Sequence, residues 1–162
     1  MLLCQKRACN GYQNAGEKMK HFILLVEDNP DDEALTLRAF KKNNILNEIA
    51  VVRDGQEALD FLFCEGAYAE RDKKSNPQII LLDINLPKLD GLEVLRQLRA
   101  NESTSIIPAI IITTSDEQSD LISGYKLGAN SYVRKPIEFD AFMDAIKQLG
   151  MYWLVLNQHP DN

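Results

Sequence analysis

The stretch IILLDINLPKLDG, residues 79–91, sets the architecture of the rest of the chain. Four apolar residues lead into Asp83, and Pro87 and Gly91 then break the chain before a new amphipathic run. A short apolar run bounded by turn formers is typical of a strand buried on both faces, as in a parallel sheet. Asp83 would then lie at the carboxyl end of its strand, the edge of an open α/β sheet at which ligands bind. This stretch alone is equally compatible with a reactive or metal-binding carboxylate and with a residue that only ends the strand.

Length and composition indicate one well-cored domain. The chain has 162 residues, of which 45% are apolar and 26% charged. Its net charge of −6 argues against nonspecific binding of nucleic acid, because contact with phosphates needs clustered Lys and Arg. The apolar runs are far shorter than the roughly 20 residues that span a bilayer, so no membrane segment is expected. Three cysteines form an odd set without metal-ligand spacing, which favours a reduced, cytoplasmic location.

The ends of the chain differ in pattern from its middle. Residues 1–19 are polar and irregular, which predicts a disordered extension, and Met19 is an alternative natural start. The patterned part predicts one domain over residues 20–157, followed by a short tail over residues 158–162.

From residue 20 onward, strand and helix patterns alternate five times. Strands are predicted at residues 22–26, 48–53, 79–83, 106–115 and 131–134. Helix starts follow at Asn29-Pro30, Asp54-Gly55, Asp90-Gly91, Ser115-Asp116 and Glu138. The acids at 31–33 would lie on the positive end of the first helix dipole. Strict alternation with short links predicts an α/β domain, a doubly wound five-stranded parallel sheet with helices on both faces.

Charged and hydroxyl residues stand where these strands end. Glu27-Asp28 follows the first strand, Asp83 the third, Thr113 ends the fourth and Lys135 follows the fifth. In a parallel sheet these ends share one edge, so the side chains converge. Carboxylates this close need a cation to stay ionised, and hard oxygen ligands with room for water suit Mg²⁺. The carbonyl of Asn85 would be a further ligand.

Lys135 and Thr113 indicate phosphoryl chemistry. A lysine ammonium is a mobile point charge that suits a phosphoryl oxygen, and a threonine hydroxyl can donate a hydrogen bond to the same group. Together with a carboxylate and a divalent cation, they describe phosphoryl transfer in which Asp83 is the nucleophile and forms an acyl phosphate.

These residues and their spacing resemble the receiver domain of two-component response regulators. Glu27-Asp28, Asp83, Thr113 and Lys135-Pro136 fill all five signature positions, and the likeness covers roughly residues 20–156. The resemblance implies a flavodoxin-like sheet of strand order 2-1-3-4-5 with five flanking helices. It also implies a cis peptide bond between Lys135 and Pro136.

The resemblance further implies a role for each site residue. Asp83 would be the phospho-acceptor, and the Mg²⁺ ligands would be Glu27, Asp28, Asp83 and the Asn85 carbonyl. Thr113 would be the switch hydroxyl and Lys135 the phosphate contact. Tyr132 would be an aromatic rotamer switch, with half-buried packing at a strand edge as the alternative. Asn85 and Ser115 flank the phosphoryl group in the family, so they are expected to tune its hydrolysis.

Two segments are similar to stand-alone regulators paired with bacterial phytochromes and other hybrid kinases. They are VEDNPDD at residues 26–32 with the long loop before Pro77, and YWLVL at residues 152–156. No output domain is expected after residue 162. Tyr152 and Trp153 would belong either to the core or to an exposed apolar patch that forms a homodimer interface.

The function implied is a signalling switch that catalyses only its own phosphorylation and dephosphorylation. A partner histidine kinase would supply the phosphoryl group, and the surface around the fourth helix, fifth strand and fifth helix would change. One alternative is an aspartyl phosphatase or phosphotransferase of the haloacid-dehalogenase kind. That class needs a second Asp where this chain has Asn85. The other alternative is a phosphate sink or a phosphorylation-independent adaptor of a histidine kinase.

Overall fold

A computed structural model describes residues 21–135 and 138–160. Five strands within these residues form a single parallel sheet of order β2-β1-β3-β4-β5. Its strands are β1 Phe22–Val26, β2 Glu48–Val52, β3 Ile79–Leu82, β4 Ala109–Thr113 and β5 Ser131–Arg134. The predicted fold and strand order are therefore confirmed. The predicted extension over residues 1–19 and the Lys135-Pro136 bond lie outside the described residues.

Five helices connect and flank the strands. They are α1 Pro30–Lys42, α2 Gly55–Phe63, α3 Gly91–Ala100, α4 Gln118–Lys126 and α5 Phe139–Gly150. A 3₁₀ turn at Gly66–Tyr68 follows α2, and a π-helical segment at Met151–Leu156 continues α5. The side chains of Asn29, Asp54 and Asp90 accept backbone N–H groups at the starts of α1, α2 and α3, as predicted. Among the residues described, none of these helices has the length and apolar character that crossing a membrane requires.

Two apolar cores cover the two faces of the sheet. Every residue of β1, β3 and β4 is buried, because each of these strands has helices on both sides. The first core joins the sheet to α2 and α3, and Tyr132 packs at its edge. The second core joins the sheet to α1 and α5. The continuous apolar runs of the sequence thus build the three central strands.

Three predicted boundaries near β4 are wrong, and one of them is the end of the strand, which lies at Thr113 rather than at residue 115. The strand begins at Ala109 rather than at residue 106, because Pro108 has no N–H to donate and Ile106 is 56% exposed. Helix α4 begins at Gln118 and has no side-chain cap, whereas the sequence predicts a capped start at Ser115. The hydroxyl of Ser115 donates instead to the carboxylate of Asp120.

The two aromatic residues proposed for a dimer interface lie in different surroundings. Trp153 is only 8% exposed and packs in the core between the sheet, α1 and α5. Its predicted place in a dimer interface is therefore wrong, and the alternative of a core position holds. Its carbonyl accepts a hydrogen bond from Nε2 of His159 at 2.8 Å. Tyr152 is 53% exposed and remains available. Alternate faces of the last helical segment explain the difference.

The end of β3 and the start of α3 approach each other closely around Asp83. A Cβ atom at Gly91 would lie 2.0 Å from the carbonyl oxygen of Asp83, and the Gly91 N–H donates to the Ile84 carbonyl at 2.8 Å. Only glycine permits this approach. The loop that carries Asp83 is therefore fixed at both ends.

Candidate functional site

Residues from four strand ends define the site at the carboxyl edge of the sheet. Glu27 follows β1, Asp83 follows β3, Thr113 ends β4 and Lys135 follows β5. The parallel register pairs Val26 with Leu82, which brings the residues after β1 and β3 to the same level. The predicted convergence of these residues follows directly from the sheet order.

The ammonium of Lys135 binds three carboxylates. Its Nζ lies 2.6 Å from Glu27 Oε2, 2.8 Å from Asp83 Oδ2 and 3.0 Å from Asp32 Oδ2. The side chains of Lys135 and Asp83 are each 7% exposed, so these are largely buried ion pairs. An ammonium has three N–H donors, and here each has a carboxylate partner.

Burial and charge oppose each other within this cluster. Burial raises the pKa of Glu27, although its hydrogen bond to Lys135 and the charge of that ammonium pull the pKa down. Burial alone would lower the pKa of Lys135. Its bonds to Asp83 and Glu27 outweigh that effect and raise the pKa well above the ordinary value of a lysine. Lys135 is therefore a permanent cation at physiological pH.

Asp32 is a member of the cluster that the sequence pattern does not single out. Oxygens of Glu27, Asp32 and Asp83 all lie within 4.8 Å of one another. Asp28, the predicted second acid, is exposed and is not one of these three. From the sequence, Asp32 is predicted only to be one of the acids at the positive end of the first helix dipole. The signal that could reveal it is its place in the first turn of α1, which begins at the same edge of the sheet.

Asn29 fixes the first turn of α1 and thereby the position of Asp32. Its Oδ1 accepts the backbone N–H groups of Asp31 at 2.9 Å and of Asp32 at 3.2 Å. Its own N–H donates to Glu27 Oε1 at 3.2 Å. A single residue therefore connects the end of β1 to the helix that supplies the third carboxylate.

The donor set of the cluster fits a hard divalent cation. Three carboxylates face one ammonium, which leaves an excess of negative charge when all are ionised. Oxygen ligands of this type suit Mg²⁺, which binds through one or two carboxylates and keeps several waters. Asn85 is exposed, and its N–H donates to Asp83 Oδ1 at 3.1 Å. Both oxygens of Asp83 are thus held by hydrogen bonds.

Thr113 and Ser115 complete the edge on the side of β4. Thr113 is fully buried, and its Oγ1 accepts the Ser115 N–H at 3.2 Å. Its carbonyl accepts the backbone N–H of Lys135 at 2.7 Å. The lysine and the predicted switch hydroxyl are therefore connected through the backbone.

Tyr132 is half-buried between β5 and α4. Its ring lies beside Gly124, where a Cβ atom would be 3.4 Å from the ring carbon Cδ2. The hydroxyl is buried and makes no direct hydrogen bond to the residues described. Burial raises the pKa of the phenol, and the nearby Ser115 hydroxyl offsets part of this rise. The ring is thus turned inward, in a position compatible with both predicted roles.

Comparisons with known proteins bear on this arrangement. A model of the response regulator receiver domain family matches residues 23–147. Response regulator Rcp1 of Synechocystis sp. is 36% identical over 82% of this chain and 88% of that protein. The crystal structure of its Mn²⁺-bound form has a TM-score of 0.80 at 35% identity, covering 88% of this chain and 99% of that one.

Two further relatives carry names that indicate different roles. The structure of bacteriophytochrome response regulator RtBRR has a TM-score of 0.70 at 49% identity, covering 87% of this chain and 84% of that one. The probable methanogenesis regulatory protein FilR2 of Methanothrix harundinacea is 39% identical over 85% of this chain and 86% of that protein. Similar chains therefore occur in different signalling contexts.

Replacing Lys135 with Met should destabilise the fold in a pH-dependent way. The change leaves buried Glu27 and Asp83 without their cation, at a cost of about 3 kcal/mol near pH 7. Burial already raises the folded-state pKa of Glu27, and loss of the ammonium raises it further. A carboxyl with a raised folded pKa binds its proton more tightly when folded, so stability falls as pH rises from the unfolded pKa to the folded one. We expect the loss in free energy of unfolding to be smaller at pH 5 than at pH 7.

Urea unfolding in metal-free buffer measures this loss. Arg134→Met is the matched control, because the neighbouring Arg134 is exposed and pairs with the exposed Asp116. A loss for Lys135→Met that is equal at both pH values, or no larger than that of the control, would contradict this account of the cluster.

Proposed function

Because the chain belongs to the response regulator receiver domain family, we propose that it is a phosphorylation-controlled signalling switch with Asp83 as its phospho-acceptor. Proteins of this family are signalling switches rather than enzymes that turn over a substrate. The observation that carries the proposal is the environment of Asp83. Its carboxylate is buried at the carboxyl edge of the sheet, with one oxygen bound by Lys135 and the other by the Asn85 N–H.

In the proposed reaction, an oxygen of Asp83 attacks the phosphorus of a phosphohistidine on a partner histidine kinase. The O–P bond forms as the P–N bond breaks, and the leaving imidazole nitrogen takes the electron pair of that bond and a proton. Lys135 then contacts a phosphoryl oxygen, and the hydroxyl of Thr113 donates to another. These contacts shift the surface formed by α4, β5 and α5, near Tyr132.

We propose that Mg²⁺ binds through the carboxylates of Glu27, Asp28 and Asp83 and the Asn85 carbonyl, with Asp32 beside them. When bound, such an ion neutralises negative charge on the phosphoryl oxygens. The oxygen cluster supports this proposal, as does the Mn²⁺-bound form of the similar Rcp1.

The proposed partner is a histidine kinase of the phytochrome or hybrid type, acting in the cytoplasm. The support for this partner is the 49% identity to a bacteriophytochrome response regulator. Asn85 and Ser115 remain the residues proposed to tune hydrolysis, because the N–H of Asn85 donates to Asp83 Oδ1 and the N–H of Ser115 donates to Thr113 Oγ1.

Acetyl phosphate with Mg²⁺ should add one phosphoryl group to the chain, measured by intact mass. Asp83→Asn should abolish the gain, because an amide oxygen cannot form the acyl phosphate. Excess EDTA should strongly reduce it, because it removes the ion that offsets the charge of the reacting groups. The matched control is Asp116→Asn, the same chemical change at an exposed acid. An equal mass gain in Asp83→Asn would refute the assignment.

Asp32→Asn should weaken Mg²⁺ binding. Removing one negative charge about 5 Å from a divalent ion weakens its binding roughly tenfold. Isothermal titration calorimetry measures the dissociation constant. Asp31→Asn is the matched control, because Asp31 is the exposed neighbour on the same helical turn and lies outside the carboxylate cluster. Equal dissociation constants for the two variants would remove Asp32 from the site.

We propose that the chain forms a homodimer through a C-terminal patch, defined as the exposed side chains of Met151, Tyr152, Val155 and Leu156. These four apolar residues are 53–68% exposed within one short helical segment. Exposed apolar clusters of this kind mark interaction sites. Trp153 is not part of the patch, because it is buried in the core.

Replacing Tyr152 and Val155 with Ser should dissociate this dimer, because both changes remove apolar area from the interface. Light scattering across a concentration series measures the dissociation constant, which should rise at least roughly tenfold. Leu46→Ser is the control, since Leu46 is 91% exposed outside the patch. A wild-type chain that stays monomeric, both before and after phosphorylation, would be the contrary result.

A further inference from the structure

Ser115 connects the switch hydroxyl to helix α4 through two hydrogen bonds. Its backbone N–H donates to Thr113 Oγ1 at 3.2 Å, and its own hydroxyl donates to Asp120 Oδ2 at 2.5 Å. Asp120 is the third residue of α4. A continuous path of hydrogen bonds therefore runs from the buried Thr113 to the first turn of the helix.

Helix α4 has few other attachments to the body of the molecule. Gly124 is its only buried residue, whereas α3 buries Gly91, Val94, Leu95 and Leu98. Its N-cap residue, Glu117, makes no side-chain capping bond. An element with little buried apolar surface moves at a low cost in free energy. The bond between Ser115 and Asp120 is therefore a large part of what fixes the start of α4.

We propose that Asp120 is a positioning residue of the switch, which couples the Thr113 hydroxyl to α4 through Ser115. The inference rests on the proposed function, because it concerns how the phosphorylated state of Asp83 reaches the surface. When Thr113 turns toward a phosphoryl group, the acceptor of the Ser115 N–H moves, and Ser115 moves with it. Because Asp120 holds the hydroxyl of Ser115, the start of α4 follows.

The ring of Tyr132 packs against α4, so a movement of this helix would change its surroundings. Its ring is next to Gly124, and a Cβ atom at that glycine would lie 2.9 Å from Ile111 Cδ1 as well as 3.4 Å from the ring. The pocket for the inward ring is thus formed by α4 on one side and β4 on the other. A shift of α4 changes the width of this pocket and therefore the position of Tyr132.

A purely local role for Asp120 makes a different prediction. An acid in the first turn of a helix interacts favourably with the helix dipole whether or not it bonds to Ser115. Ser115→Ala removes the bond but keeps that charge. If the bond is what matters, Ser115→Ala and Asp120→Ala should have the same effect, and the double variant should be no worse than either one. Such non-additivity is the signature of one shared interaction.

The test is ¹⁹F NMR of the chain labelled with 3-fluorotyrosine, with the Tyr132 signal assigned from Tyr132→Phe. Spectra are recorded with Mg²⁺ before and after addition of beryllofluoride, a mimic of the phosphoryl group. The wild-type Tyr132 signal should shift on addition, and in Asp120→Ala and Ser115→Ala this shift should fall by roughly half or more. Glu117→Ala is the matched control, because Glu117 is an exposed acid at the same helix start. The control should respond like the wild type.

Separate outcomes distinguish the two proposals. Intact mass after acetyl phosphate treatment shows whether each variant still accepts a phosphoryl group, and urea unfolding shows that each remains folded. No mass gain in the wild type refutes the proposed function. Normal mass gain in Asp120→Ala together with an undiminished Tyr132 shift overturns the inference while leaving the proposed function intact. Additive losses in the double variant also overturn it.

Discussion

The ammonium of Lys135 is the interaction on which the site depends. Three carboxylates from two strand ends and one helix start meet it within 3.0 Å, and two of them are almost fully buried. Burying carboxylates this close together is costly unless a cation is present. Lys135 follows the edge strand β5 and reaches the ends of β1 and β3, so the site spans four of the five strands. Any reaction that changes the charge on Asp83 must therefore change its ion pair with Lys135, which directly follows β5.

The helices on the two sides of this site differ in how much apolar surface they bury. The central strands are completely buried, and α3 packs through four buried residues and the close approach at Gly91. Helix α4 buries only Gly124 and relies on hydrogen bonds around Ser115. Asp83 is thus fixed by the buried strands and α3. Helix α4, which lies beside Tyr132 and follows Thr113, can move at a lower cost in free energy because it buries less apolar surface. This contrast fits the proposed switch, in which Asp83 would accept the phosphoryl group and α4 would move.

Much of the fold is predictable from local pattern. The apolar runs, the caps at Asn29, Asp54 and Asp90, and the alternation of strands and helices all agree with the structure. The pattern fails where local signals conflict. Ile106 and Ile107 look like strand residues, but Pro108 cannot donate to the neighbouring strand. Ser115 is a typical N-cap residue, yet α4 begins at Gln118 and the Ser115 hydroxyl donates a hydrogen bond to Asp120.

By itself, the sequence determines the order of the elements and places Glu27, Asp83, Thr113 and Lys135 at strand ends, since parallel strands share one edge. It does not determine which acid of the run around α1 turns inward, nor which side of the last helical segment is covered. Only the tertiary structure places Asp32 rather than Asp28 against Lys135, and Trp153 rather than Tyr152 in the core. The reason is geometric, because neighbouring residues of one helix or loop point in directions that depend on where the rest of the chain packs.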